Sequence, residues 1–176
     1  MKFTKTLKYS AAALVASLGL VGCGNQETET KVDLVTNTGD GVTVEFWHNM
    51  SGAFAETIDS IVSDFNSTIG AEKGITVNAT YQGSYDDLKA KTMAAIKAGN
   101  ATHIVQGTVN NIHELIQYEY IQDLTDYINH PEIGFDYEDI FESYRAEMSG
   151  YTTTGEIYSL PFAKSVDLLF YNEDFF

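Results

Sequence analysis

The residues best equipped for chemistry are four histidines, one cysteine and 25 carboxylates, spread over a chain of 176 residues. His113-Glu114-Leu115-Ile116-Gln117 begins like an HExxH zinc motif, in which two imidazoles one helical turn apart share the metal and the glutamate is the base. The second ligand position here is Gln117, so the motif is incomplete. His48, His103 and His130 stand at spacings that suggest no closed metal site either. No glycine-rich loop of the P-loop pattern is present. Paired carboxylates are what glycoside hydrolysis uses as general acid and nucleophile, but in so acidic a chain pairs arise by chance. These residues argue against an enzyme, a metal or any other cofactor. A secreted glycan-active enzyme is the alternative kept open, and an adhesive surface lipoprotein is a third reading.

Recognition without turnover asks for different residues. A sugar needs apolar faces for its C–H groups and fixed donors and acceptors for its hydroxyls, and a tyrosine offers both a face and a hydroxyl. Such residues cluster where strand-like runs end. Residues 42–47 alternate apolar and polar side chains before Phe46 and Trp47, a strand pattern. Phe54, Ile58, Ile61, Val62, Phe65 and Ile69 fall on one face of a 3.6-residue period and predict a helix. Residues 75–81 read as a second strand after Gly74. Ser84 reads as the N-cap of a helix with Asp87 three residues on, and that helix runs through Leu88, Thr92, Ala95 and Ile96 to a stop at Gly99. Residues 103–107 predict a short third strand, with helical stretches around 112–117, 120–128 and 137–148. Residues 151–158 read as two short strands around Gly155. Residues 166–171 form a hydrophobic strand that should be buried, and Asn172-Glu173-Asp174 looks like a helix start.

Strands alternating with helices predict βαβ units, hence an α/β chain with a mostly parallel sheet flanked by helices. Ligands of open α/β sheets sit outside the carboxyl ends of the strands. Those ends carry His48, Asn49 and Met50 after strand one, residues 82–85 after strand two, and residues 107–110, including Thr108, after strand three. Each has a plainer use. Trp47 serves equally well as core, His48 as a cap for the next helix, Tyr85 as surface packing, and Ser165 as a strand-end cap.

The N-terminus carries an address. Lys2, Lys5 and Lys8 precede an apolar run at 11–21, which is shorter than the roughly 20 residues a spanning helix needs. A short apolar run behind lysines reads as a secretory signal over residues 1–22. Leu20-Val21-Gly22-Cys23 resembles the lipobox of bacterial lipoproteins, which implies cleavage before Cys23 and lipidation of its sulfur. Cys23 is the single cysteine, so it has no disulfide partner within an exported chain. Such lipidation anchors a protein stably without a transmembrane segment. Residues 23–41 are polar and end in Gly-Asp-Gly, a flexible tether, although Val32, Leu34 and Val35 admit a weak strand.

With residues 1–22 removed, 154 residues remain, enough for one domain with a core. Three of the ten Lys and Arg lie in the signal and all 25 acids beyond it, so the mature charge is −18. That field repels phosphate backbones and excludes nucleic acid as a partner.

Four stretches in register resemble the carbohydrate-type extracellular solute-binding proteins of ABC importers. They are Val44-Glu45-Phe46-Trp47-His48-Asn49-Met50, Tyr81-Gln82-Gly83-Ser84-Tyr85-Asp86-Asp87, Ile96-Lys97-Ala98-Gly99-Asn100-Ala101, and Tyr158-Ser159-Leu160-Pro161-Phe162 through Leu169-Phe170-Tyr171-Asn172-Glu173-Asp174. The closest subgroup looks like the glycerol-3-phosphate binders. The resemblance implies a periplasmic-binding-protein type II-like fold of two α/β lobes around a ligand cleft. Residues 42–176 would form an incomplete N-terminal lobe that ends at the first crossover between lobes, with the second lobe missing. It implies an extracytoplasmic receptor anchored to the cell membrane through Cys23, monomeric when full length. That receptor would deliver a sugar, polyol or sugar phosphate to ABC permease subunits. Tyr85 and Ser165 match ligand-contacting positions of the subgroup. Val109 stands where the subgroup carries an acid, and Ala163-Lys164-Ser165-Val166-Asp167 replaces its Asn-Ser-Ser-Thr-Pro run. Those departures put glycerol-3-phosphate itself in question, while Lys164 adds a cation able to pair with an anionic ligand. The expected ligand residues are therefore Trp47, His48, Asn49, Tyr85, Thr108, Lys164 and Ser165.

Overall fold

The computed structural model describes residues 41–165 and 167–175. The expected signal, Cys23 and all but the last residue of the expected tether lie outside them. Three parallel strands form a sheet in the order β2-β1-β3, where β1 is Val42–His48, β2 is Ile75–Tyr81 and β3 is Ile104–Val105. The first strand is central because its apolar residues alternate and both its edges are paired. It meets β2 from Val42↔Ile75 to His48↔Tyr81, and β3 at Phe46↔Ile104 and Trp47↔Val105.

The third strand is shorter than the sequence predicts. Ahead of Ile104, side chains replace the ladder. Thr102 Oγ1 donates to Glu45 C=O at 2.9 Å, and His103 Nδ1 accepts from Glu45 N–H at 3.0 Å. These bonds satisfy β1's backbone without further strand pairing.

Helix α1, Ala53–Ser67, lies against β2, and α2, Ile69–Lys73, follows it directly. Asn66 acts as a substitute strand: its Nδ2 donates to Val77 C=O at 2.9 Å and its Oδ1 accepts from Val77 N–H at 2.7 Å. The expected apolar face of α1 is only half covered. Ile58 is buried, whereas Phe54, Ile61 and Ile69 are exposed. Gly70 is where α2 approaches the strand: a Cβ there would stand 2.5 Å from Ile75 O.

The connection from β2 to β3 is helix α3, Tyr85–Lys97, which buries Leu88 and Thr92, and α4 is Val109–Gln117. The expected helix at 120–128 shrinks to α5, Thr125–Ile128. Asp123 Oδ1 accepts from Thr125 N–H at 2.9 Å, and Leu124 N–H goes to Ile157 C=O at 2.7 Å, so the preceding backbone is spent elsewhere. The expected helix at 137–148 splits into a 3₁₀ turn, Tyr137–Asp139, and α6, Glu142–Met148, because Ile140 and Phe141 are extended.

Two expectations fail downstream. Residues 151–158 form a turn rather than strands: the hydroxyls of Thr152 and Thr154 both donate to the Glu156 carboxylate. Residues 167–171 are not a buried strand. Leu168, Leu169 and Phe170 are 70%, 92% and 87% exposed, since among the described residues no strand pairs with them. Residues 173–175 do form a single 3₁₀ turn, with Asn172 Oδ1 accepting from Asp174 N–H at 2.9 Å.

Candidate functional site

Parallel pairing places the carboxyl ends of all three strands along one edge of the sheet. The backbone ties continue one step past the strands. His48 C=O accepts from Gln82 N–H at 2.8 Å, and Trp47 C=O accepts from Gln106 N–H at 2.9 Å. Gln106 is buried, and its side chain links the loops. Its Oε1 accepts from Asn49 N–H at 3.1 Å, and its Nε2 donates to Tyr85 Oη at 3.4 Å. Residues following β1, β2 and β3 thus meet through one carboxamide.

Tyr85 is the first residue of α3, and its position is fixed by a capping box. Ser84 Oγ accepts from Asp87 N–H at 3.2 Å, while Asp87 Oδ2 accepts from Ser84 N–H at 3.0 Å and from Ser84 Oγ at 2.8 Å. The hydrogen bonds from the Ser84 side chain and backbone hold the Asp87 carboxyl below its ordinary pKa. Gly83 makes this turn possible: its φ is +102°, and a Cβ there would stand 2.7 Å from Asp87 Oδ2. Lys91 Nζ donates to Gln82 C=O at 2.7 Å and closes the loop from the helix side. Tyr85 is left 45% exposed on this ledge, able to offer a ring face and a hydroxyl.

His48 is 2% exposed and stands between the rings of Phe46 and Tyr81, at centroid distances of 5.5 and 6.2 Å. Its Nδ1 and the Oδ1 of Asn49 are buried, and no hydrogen-bond partner faces either among the described residues. Trp47 is half-buried in β1. Thr108, two residues past Gln106, is exposed and donates to Asn111 Oδ1 at 2.6 Å.

Phe162 packs edge-on against Phe46 of β1 at 5.9 Å. Ser165 is exposed. Lys164 pairs with Glu147 and stands 5.8 Å from the centroid of the Tyr144 ring. The structure therefore joins Asn49 to Tyr85, and no described contact links Lys164 or Ser165 to them. Gln106, which makes the join, was not among the sequence candidates. Its only signal is a long amide closing the apolar pair Ile104-Val105.

The incomplete HExxH stretch lies on α4, where His113 Nε2 and Gln117 Nε2 are 3.2 Å apart and Glu114 pairs with Lys89 at 2.6 Å. Among the described residues no group of three or more His, Cys, Asp or Glu is placed to hold a metal, and no helix is long and apolar enough to cross a membrane.

Residues 60–176 match the family model described as bacterial extracellular solute-binding protein. The chain belongs to that family. A curated relative, the sn-glycerol-3-phosphate-binding periplasmic protein of Shigella dysenteriae serotype 1, is 31% identical over 175 residues, 98% of this chain and 35% of that protein. The chain thus spans about a third of the length of its curated relatives. Among solved structures, an extracellular solute-binding protein family 1 member from Alicyclobacillus acidocaldarius superposes with a TM-score of 0.57 at 18% identity, covering 71% of this chain and 29% of that one. An ABC substrate-binding protein from Listeria monocytogenes, in complex with cycloalternan, gives 0.55 at 17% identity, covering 67% and 29%. These likenesses show the fold: the parallel sheet and its helices are part of a periplasmic-binding-protein architecture, as the sequence predicts.

Proposed function

We propose that this chain carries one wall of the ligand cleft of an extracytoplasmic receptor. The receptor takes up a sugar, polyol or sugar phosphate and delivers it to the permease of an ABC importer. The observation that carries this reading is the junction of Asn49, Gln106 and Tyr85 at the carboxyl edge of the sheet. Open α/β sheets bind ligands at that edge. Family membership and the sn-glycerol-3-phosphate-binding periplasmic proteins among its relatives support the ligand class. Tyr85 supplies a stacking face and a hydroxyl, Asn49 and Thr108 supply polar groups, and Trp47 and His48 back the ledge. Ser165 would add a hydroxyl from the 162–165 segment. Lys164 would have to leave Glu147 to hold an anionic ligand, and the acidic field of the chain opposes polyanions, so neutral sugars are favoured over phosphates.

In this reading residues 1–22 are the signal, Cys23 bears the lipid, and residues 23–41 are the tether. Residues 42–176 belong to the first lobe, and the receptor acts as a monomer. Calorimetry of the full-length gene product against sn-glycerol-3-phosphate and maltotriose tests it, with chromatography of the recovered ligand. Saturable binding with the ligand returned intact is expected. Cleaved ligand would instead support a glycan-active enzyme, and absence of binding to either would remove this ligand class.

A further inference from the structure

The geometry points to Gln106 as the residue that fixes the hydrogen-bond polarity of Tyr85, so that the tyrosine meets its ligand as a donor. This rests on Tyr85 belonging to the cleft and adds which kind of ligand atom it takes. The fixed point is the backbone N–H of Asn49, which can only donate. It donates to Gln106 Oε1 at 3.1 Å. A carboxamide has one accepting and one donating end, so anchoring Oε1 turns Nε2 the other way. Nε2 lies 3.4 Å from Tyr85 Oη, and an amide NH₂ offers no lone pair, so the phenol oxygen accepts there. The O–H of Tyr85 is then free to donate outward.

Turning the amide over would set Nε2 against the Asn49 N–H, two donors face to face. The Gln106 side chain has little room to escape this, being 9% exposed with its own N–H held by Trp47 C=O at 2.9 Å. Tyr85, by contrast, is 45% exposed. The ligand atom against Tyr85 is therefore an acceptor oxygen: an ether, a hydroxyl lone pair or a phosphate oxygen. Gln106 is a positioning residue in this account and acts only through Tyr85.

Gln106→Glu keeps the shape and reverses the polarity. One carboxylate oxygen still accepts from Asn49, while the other faces Tyr85 as an acceptor and captures its proton in a charge-assisted bond. Ultraviolet resonance Raman reads this without ligand, because the tyrosine Fermi doublet changes its intensity ratio between accepting and donating phenols. The difference between full-length wild type and Tyr85→Phe should show a phenol that accepts from Gln106 while donating to water, and the same difference within Gln106→Glu a phenol that only donates, into the carboxylate. A phenol that donates without accepting in the wild type, or no change on Gln106→Glu, overturns the proposal. Calorimetry with sn-glycerol-3-phosphate and maltotriose reads the consequence. Gln106→Glu should weaken the bound probe at least about fivefold when Tyr85 is present and far less in the Tyr85→Phe background. Repulsion of phosphate by the new charge acts in both backgrounds and cancels in the comparison. Equal losses in both backgrounds overturn the proposal as well. If neither probe binds while the Raman pair behaves as expected, the ligand class fails and the polarity stands.

Discussion

At the scale of single residues, Tyr85 and Ser165 carry the most direct expectations for ligand affinity in the full-length protein. Tyr85→Ala removes a stacking face, worth about 1 kcal/mol beyond area burial. Ser165→Ala leaves a ligand oxygen short of a partner, at roughly 1–3 kcal/mol if the closed site excludes water. Because about 1.4 kcal/mol is tenfold, both variants should bind several-fold more weakly by calorimetry while circular dichroism stays native. Unchanged affinity in both would place the site elsewhere. The expectation for Tyr85 rests on its place after the second strand and on the family resemblance, and that for Ser165 on the resemblance. Gln106 was not legible in the sequence, because a polar residue closing a two-residue strand looks the same whether its amide faces solvent or bridges two loops. Only the positions of Asn49 and Tyr85, 57 and 21 residues away in sequence, give it a role.

At the scale of elements, local signals predicted what local forces build. The second strand and the capped start of α3 stand where their residues indicated, since alternation and the Ser84–Asp87 pair act within a few residues. Failures fall where distant groups decide. Asn66 takes the outer N–H and C=O of Val77, side chains of Thr102 and His103 stand in for strand pairing ahead of β3, and Ile157 takes the Leu124 N–H. Asn66→Ala should leave Val77's N–H and C=O unpaired at the sheet edge and cost about 1–3 kcal/mol by urea unfolding. An effect near zero would mean water satisfies the strand equally well.

Ser84→Ala removes the N-cap of α3, typically about 1 kcal/mol. It also removes the chief cause that lowers the Asp87 pKa. A carboxyl whose folded pKa lies below its unfolded value stabilises the fold above the unfolded pKa, ordinarily 3.8 for this group. That contribution disappears as pH falls through the folded pKa. The gap in urea midpoint between wild type and Ser84→Ala should therefore be constant at neutral pH and narrow below about pH 4. A gap that widens in acid would contradict the assignment.

At the scale of the whole molecule, the parallel α/β architecture was legible from the order of strands and helices, because βαβ connections leave few alternatives. Residues 168–170 are exposed because apolar content says only that a segment prefers burial, and among the described residues no strand pairs with them to cover it. Contiguous apolar exposure of this kind promotes association. The 176-residue chain should therefore sediment as concentration-dependent oligomers, and Leu169→Ser with Phe170→Ser should shift it toward monomer. A monomer at all concentrations would show that this segment is covered in solution. Attachment to the membrane is the other whole-molecule expectation: a fatty-acid analogue should label the wild type but not Cys23→Ala. Equal labelling would end the lipoprotein reading.

The central claim is that ligand meets this chain at the carboxyl edge of its parallel sheet. Amide chemical-shift mapping of the full-length protein during titration with maltotriose or sn-glycerol-3-phosphate tests it residue by residue. The account predicts that the largest shifts within this chain fall at residues 48–50, 82–85 and 106–108, with Val42, Gly74 and Thr102 at the opposite edge unmoved. Shifts centred on that opposite edge, or on the α1 face near Asn66, would contradict it.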